Sequence, residues 1–234
     1  MFDRAAYKKA AKAQLKGRWK IPVLTSLLIF ALLSILCSAL VAFFGDDITV
    51  NLNAAAGNFR AGVHGGPRAT TASIFIALIV AAFLLAQKRL FHIMKAEPRP
   101  VTFGDYLEGL GQWWQAVRGY LWRTLWVCLW SLLFWIPGII KWYSYSMMVY
   151  IMAEYPEIKV SKAIKISKEL TRGYKGDLFV TDLSFIPLFV LCGLTLGIGF
   201  LWLMPYYQAV YTNIYQVLKE TALASKRVSP EDFA

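Results

Sequence analysis

The sequence predicts an all-α integral membrane protein, with six transmembrane helices in three hairpins and about three amphipathic interfacial helices on the cytoplasmic side. Three observations predict it. Of the 234 residues, 58% are hydrophobic and only 17% charged, with a mean hydropathy of +0.49, outside the range of ordinary soluble domains. Several apolar runs approach the roughly 20 residues a helix needs to cross a bilayer. Lys and Arg are concentrated between those runs.

The first run, residues 21–44, is too long for the apolar core of a signal peptide and has no small-residue cleavage site after it, so it reads as a retained helix. The second covers about residues 72–94, its strongly apolar part ending at Ala86. Residues 119–153 are almost continuously apolar. One helix of that length would run about 50 Å, against a hydrocarbon core of about 30 Å. Pro137-Gly138 lies near the middle; Pro lacks a backbone donor and Gly favours a turn. The run is therefore cut into two arms, 119–136 and 139–154. Each arm is only just long enough, and a re-entrant pair is the alternative. The last two spans are about 178–196 and 200–218, joined through Gly197-Ile198-Gly199.

Amphipathic stretches separate the hairpins. In residues 159–172, Val160, Ala163, Ile164, Ser167 and Leu170 fall at helical spacing, with Lys159, Lys162, Lys165, Lys168 and Arg172 on the other side. That pattern reads as a basic helix at the membrane surface, its cations meeting anionic headgroups. Residues 3–16 are similar but richer in Ala. In residues 102–117, Phe103, Tyr106, Leu107, Leu110 and Trp114 share a face.

Charge sets the orientation. The proposed inside segments hold 22 of the 25 Lys and Arg, leaving Arg60, Arg68 and Lys141 outside. The positive-inside rule then places both termini in the cytoplasm and requires an even number of spans. An inside amphipathic helix, a Gly and an apolar hairpin recur three times, at Gly17, Gly119 and Gly173. The chain thus reads as one polytopic domain, 1–234, with degenerate repeats 3–94, 102–154 and 159–218, in which each Gly ends its amphipathic helix.

Enzyme signatures are missing. The histidines, His64 and His92, stand apart, and there is no HExxH, Gly-x-Ser-x-Gly, P-loop or GxGxxG opening a helix. Cys37, Cys128 and Cys192 sit singly in apolar runs and form no CxxC pair, so they read as packing residues. No catalytic residue, metal site, cofactor or nucleic-acid partner is expected.

Charges in or beside the spans carry more information, because burial in hydrocarbon is costly. Asp182, Glu154 and Arg123 are expected near the cytoplasmic headgroups, Asp182 pairing with Arg123 or Arg172. Lys141, just past the Pro-Gly turn, is expected to reach the outer surface. Tyr143, Met147, Tyr150 and Glu154 share one helix face; Tyr207, Tyr211 and Tyr215 form a second stripe, with Gln208 and Asn213 nearby. These residues read either as aromatic-belt packing or as an amphiphilic groove between the last two hairpins. The Trp122, Trp126 and Trp130 stripe reads as lipid-facing or packing surface.

Several stretches resemble a known family. They are "LFWIPGIIKWYSYSMMVYIMAEYP" (133–156), "AIKISKELTRGYKGDLF" (163–179), "LSF" (183–185) and "GIGFLWLMPY" (197–206), with "LKGRW" (15–19) near the start. Together they resemble the uncharacterised bacterial membrane family called domain of unknown function 975. The resemblance implies a multi-pass protein of the bacterial cytoplasmic membrane and carries no catalytic residues across. Two functions are expected from the residues. One is non-enzymatic binding or movement of a lipid-like amphiphile in the tyrosine-lined groove. The alternative is a scaffold or accessory subunit, docking anionic phospholipid or a protein partner, a second copy included, through the basic helices.

Overall fold

A computed structural model describes residues 2–44, 48–55, 58–65, 67–97, 99–133, 135–195 and 197–233. Helix α1 (Arg4–Leu15) opens at Asp3, whose carboxylate accepts the Ala5 and Ala6 amides at 2.9 and 3.2 Å. This is an N-cap that satisfies donors the first turn leaves free. Gly17, at φ +77°, ends it. Helix α2 (Lys20–Phe44) leads to an antiparallel hairpin of β1 (Ile48–Ala55) and β2 (Asn58–Gly65), paired from Ile48↔Gly65 to Ala55↔Asn58. The helical fold class therefore holds with one addition, a strand pair in the connection between the first two apolar runs.

Helix α3 (Pro67–Ala96) follows, then α4 (Phe103–Leu110). Thr102 and Asp105 form a capping box at the start of α4, each side chain bonding the other's amide. The Arg99 guanidinium and the Thr102 amide hold the Asp105 carboxyl below its usual range. Helix α5 (Trp113–Leu133) starts after a break at Gly111 and Gln112, so 102–117 is two helices rather than one.

The next segment departs most from expectation. Helix α6 (Trp135–Ser144) runs through Pro137-Gly138. Pro137 is its third residue, where no intrahelical donor is required, so Pro is compatible with helix there. The second arm breaks instead at Tyr145–Met147, giving a separate α7 (Met148–Glu154). Then come α8 (Val160–Leu170), α9 (Lys175–Leu183), α10 (Ile186–Leu194), α11 (Phe200–Ala224) and a 3-10 turn, Pro230–Phe233. Gly173, at φ +88°, follows α8 as Gly17 follows α1. Gly119 has no such role. It lies inside α5, where an added Cβ would stand 2.7 Å from Met152 Cε of α7.

Among the described residues, three helices are long and apolar enough to cross a membrane, not six: Lys20–Phe43, Thr71–Ala96, and Lys175–Leu194, which joins α9 to α10 across a bend. Helices α6 and α7 are too short, at 10 and 7 residues. Helices α5 and α11 have the length but carry too much polarity, including Gln115, Arg118 and Arg123 in one, and Gln208, Asn213 and four tyrosines in the other. Apolar side chains nonetheless cover the outside of several helices, among them Phe43, Phe75, Leu125, Ile140 and Leu194.

The buried core lies where α3, α7, α8 and α11 meet. Helix α1 packs on α11 through Tyr7, Ala11 and Leu15. The apolar face of α8 is equally occupied. Ala163, Ile164, Ile166, Ser167 and Leu170 are buried against α7, α5 and α11, and Ser167 Oγ donates to the Ser144 carbonyl at 2.8 Å. The apolar face of this helix, read from the sequence as one lying at the membrane surface, is filled by protein.

Candidate functional site

Helix α11 brings the tyrosine stripe together because Tyr207, Tyr211 and Tyr215 recur every four residues, which places them on one side of a helix. Facing them are Tyr143 on α6, Tyr150 and Glu154 on α7, and Asp182 on α9. The Asp182 carboxylate accepts hydroxyl protons from Tyr143 and Tyr207, each at 2.8 Å, and from Tyr211. It pairs with neither Arg123 nor Arg172; three phenols satisfy it instead. Tyr150 stacks on Tyr211 and Tyr215 with ring centroids 6.5 and 5.9 Å apart.

Glu154 closes the other end of the seam. It accepts from Tyr215 and Lys219, both at 2.5 Å, and lies 3.3 Å from His92 Nε2. Lys219 also donates to the Tyr155 hydroxyl. Tyr150, Tyr211 and Tyr215 are 6%, 5% and 1% exposed, so the stripe is a packed seam and not an open groove. Asn213 belongs to a separate cluster on α11, where it accepts from Lys95 at 2.6 Å and donates to Gln14 at 3.0 Å.

A hollow of about 290 Å³ lies beside this seam, between α3, α5, α6 and α7. That is near the lower end of ligand-pocket sizes, and roughly ten waters' share of liquid volume at about 30 Å³ each. Its wall is mostly apolar, including Ala81, Leu85, Ala116, Met148 and Met152. Leu84, Tyr120 and Trp142, all exposed, stand at it as well. Gly119 helps make it, since the missing side chain lets α5 approach Met152.

Two cations face this hollow, Lys88 from α3 and Arg123 from α5. Lys88 Nζ donates to the Tyr150 hydroxyl at 3.0 Å and to Gln208 Oε1 at 3.1 Å, and sits 4.1 Å from the Tyr150 ring centroid. The Arg123 guanidinium lies 4.3 Å over the Trp142 ring. Its Nε is buried with no hydrogen-bond partner among the described residues. An unmet buried donor costs about 1–3 kcal/mol, and ring contacts return about 0.5–2 kcal/mol each. Among the described residues, neither cation has a carboxylate within ion-pair distance. Nothing in the sequence singles out Lys88; its place beside Arg123 depends on how α3 packs on α5.

A second hollow, about 210 Å³, gathers Lys141 of α6 with Lys165 and Lys168 of α8, beside Trp122 and Trp126. Lys141 was expected on the opposite surface from α8, and instead adjoins its lysines. Lys159, Lys165, Lys168 and Arg172 are exposed and Lys162 is partly so, leaving the basic face of α8 turned outward. The Trp130 side chain lies outside the described residues, as do those of Arg60, His64 and Pro137.

Residues 124–222 match the model of a family described as "Protein of unknown function (DUF975)". The resembling stretches from 133 to 206 fall inside that match, while "LKGRW" at 15–19 lies before it. No curated protein and no solved structure matches the chain.

Proposed function

We propose that this chain is a non-enzymatic, multi-pass protein of the bacterial cytoplasmic membrane that binds or moves a lipid-like amphiphile. The site moves from the tyrosine seam to the hollow next to it. The observation that carries the reading is that hollow: mostly apolar walls, two cations and a rim of exposed Leu84, Tyr120 and Trp142. An apolar pocket with a few convergent polar groups is what a ligand site of this kind requires. The tyrosine seam then serves as its rigid back wall, since Tyr150 and Gln208 position Lys88.

The test uses the full chain in mild detergent with diazirine-bearing acyl probes, pooled over neutral and acidic heads. Light-driven labelling should fall on α3, α5 and α7 residues at the hollow. Replacing buried Ala116, which lines it, by Phe should cut that labelling severalfold. Labelling confined to the outer faces of α2 and α10, indifferent to Ala116→Phe, would sink the reading.

One observation favours a second role. The apolar face of α8 is buried in protein while its lysines face outward, and Lys141 joins Lys165 and Lys168 around a basic hollow. Such a surface suits anionic headgroups, each lysine near them gaining about 1 kcal/mol. It supports docking onto anionic lipid alongside ligand binding.

A further inference from the structure

We infer that the amphiphile carries an acidic head, a carboxylate or phosphate held between Lys88 and Arg123 with its chain along the apolar wall. This inference rests on the ligand-binding reading above and adds the chemical class.

The argument starts from the two cations. Charge in or beside an apolar, water-poor region is costly and is retained where something offsets it. Two carboxylates at the adjoining tyrosine seam are already committed elsewhere. Asp182 accepts three phenols, and Glu154 accepts from Tyr215 and Lys219. What surrounds Lys88 and Arg123 is neutral: a phenol, an amide oxygen and two aromatic faces. These orient the cations without neutralising them.

The remaining hydrogen-bonding capacity points the same way. Lys88 has three N–H donors, and two are used, on Tyr150 and Gln208. The Arg123 guanidinium carbon lies 4.3 Å from the Trp142 ring centroid, and its buried Nε has no hydrogen-bond partner among the described residues. An oxyanion accepts in that geometry: a fork from Arg, a point charge from Lys. A neutral head would leave both charges uncompensated. A free inorganic anion would satisfy the cations but leave the apolar wall, Ala81, Leu84, Leu85 and Trp142, without an occupant.

The experiment compares three photoprobes with matched chains and different heads: carboxylate, phosphate monoester and alcohol. Inorganic phosphate serves as a chain-free competitor. Both acidic probes should label the hollow at least tenfold more than the alcohol. Lys88→Met with Arg123→Met should bring acidic labelling down to the level the alcohol probe shows in the same variant, and a retained tenfold preference there would overturn the role given to the two cations. The conservative pair Lys88→Arg with Arg123→Lys should keep most of the preference, which separates lost charge from lost folding. The stronger acidic head identifies a fatty acid or a phospholipid as the source, and either supports the inference. Equal labelling by all three probes would overturn the acidic head while leaving an amphiphile site standing. Displacement of the acidic probes by micromolar inorganic phosphate would overturn the role given to the chain. No labelling by any probe would remove both readings together.

Discussion

Asp182 shows how much one carboxylate organises. It joins α6, α9 and α11 by accepting three hydroxyls, from Tyr143, Tyr207 and Tyr211. Replacing it by Ala leaves up to three partly or fully buried phenols without an acceptor, at about 1–3 kcal/mol for each that finds no other. A loss of about 3 kcal/mol in a chain of this size lowers the heat-denaturation midpoint by roughly 6–12 °C. Asp182→Asn keeps one carbonyl acceptor and should fall between. Circular dichroism on the detergent-solubilised chain measures both, and an unchanged midpoint for Asp182→Ala would mean that the tyrosines re-pair among themselves. The spacing of the tyrosines was legible in the sequence because it is a property of one helix. Their acceptor was not, because Asp182 reaches them from another helix, and its charge suggested an arginine partner. Lys88 was not legible for the same reason: nothing along α3 says that Arg123 of α5 faces the same hollow.

At the scale of elements, glycines decide how closely helices approach. A Cβ on Gly109 of α4 would stand 2.9 Å from the Cα of Ala86 in α3, and one on Gly119 of α5 would stand 2.7 Å from the terminal methyl of Met152. The second distance is shorter, yet a methionine tip can swing aside whereas a backbone Cα cannot. Gly109→Ala should therefore lower the denaturation midpoint more than Gly119→Ala, and the reverse order would mean that α4 shifts on α3 more freely than Met152 moves. The same helices show which boundaries a sequence can mark. Gly17 and Gly173 fall at helix ends with positive φ, as read. Gly119, in an identical Arg-Gly-Tyr setting to Gly173, is a packing residue in mid-helix. Pro137-Gly138 looked like a turn because it interrupts a long apolar run, but proline is equally at home in a helix's first turn. The break at Tyr145–Met147 has no proline or glycine to announce it.

For the whole molecule, the placement of α8 bears on how the α5–α6 pair would sit in a bilayer. Ser167 of α8 bonds the Ser144 carbonyl at the end of α6, and α8 lysines share a hollow with Trp122, Trp126 and Lys141. If the basic face of α8 lies at headgroup level, only α5 beyond Trp122 and the first part of α6 extend further. From Trp122 to Leu133 a helix rises roughly 16 Å, about half of a 30 Å hydrocarbon core. That favours a re-entrant hairpin over two crossing arms. Beside the three apolar helices α2, α3 and α9–α10, α11 would then have to cross with Gln208, Asn213 and its tyrosines shielded by the protein that buries them, which would keep an even number of spans and both termini on the inside, as the charge distribution requires. Single cysteines in an otherwise cysteine-free chain test this in intact cells. A cysteine at Asn58, in the strand pair between α2 and α3, should react with an impermeant reagent, and one at Ser225 should not. A cysteine at Ile139, near the start of α6, is the discriminating probe. A crossing hairpin brings it close to the outer surface, where it reacts. A re-entrant one holds it in hydrocarbon, unreactive from outside in cells and from the cytoplasmic face in inverted vesicles. Reaction from outside at Ile139 would restore the crossing pair and place Lys141, with its α8 neighbours, at a depth the basic face of α8 could not occupy.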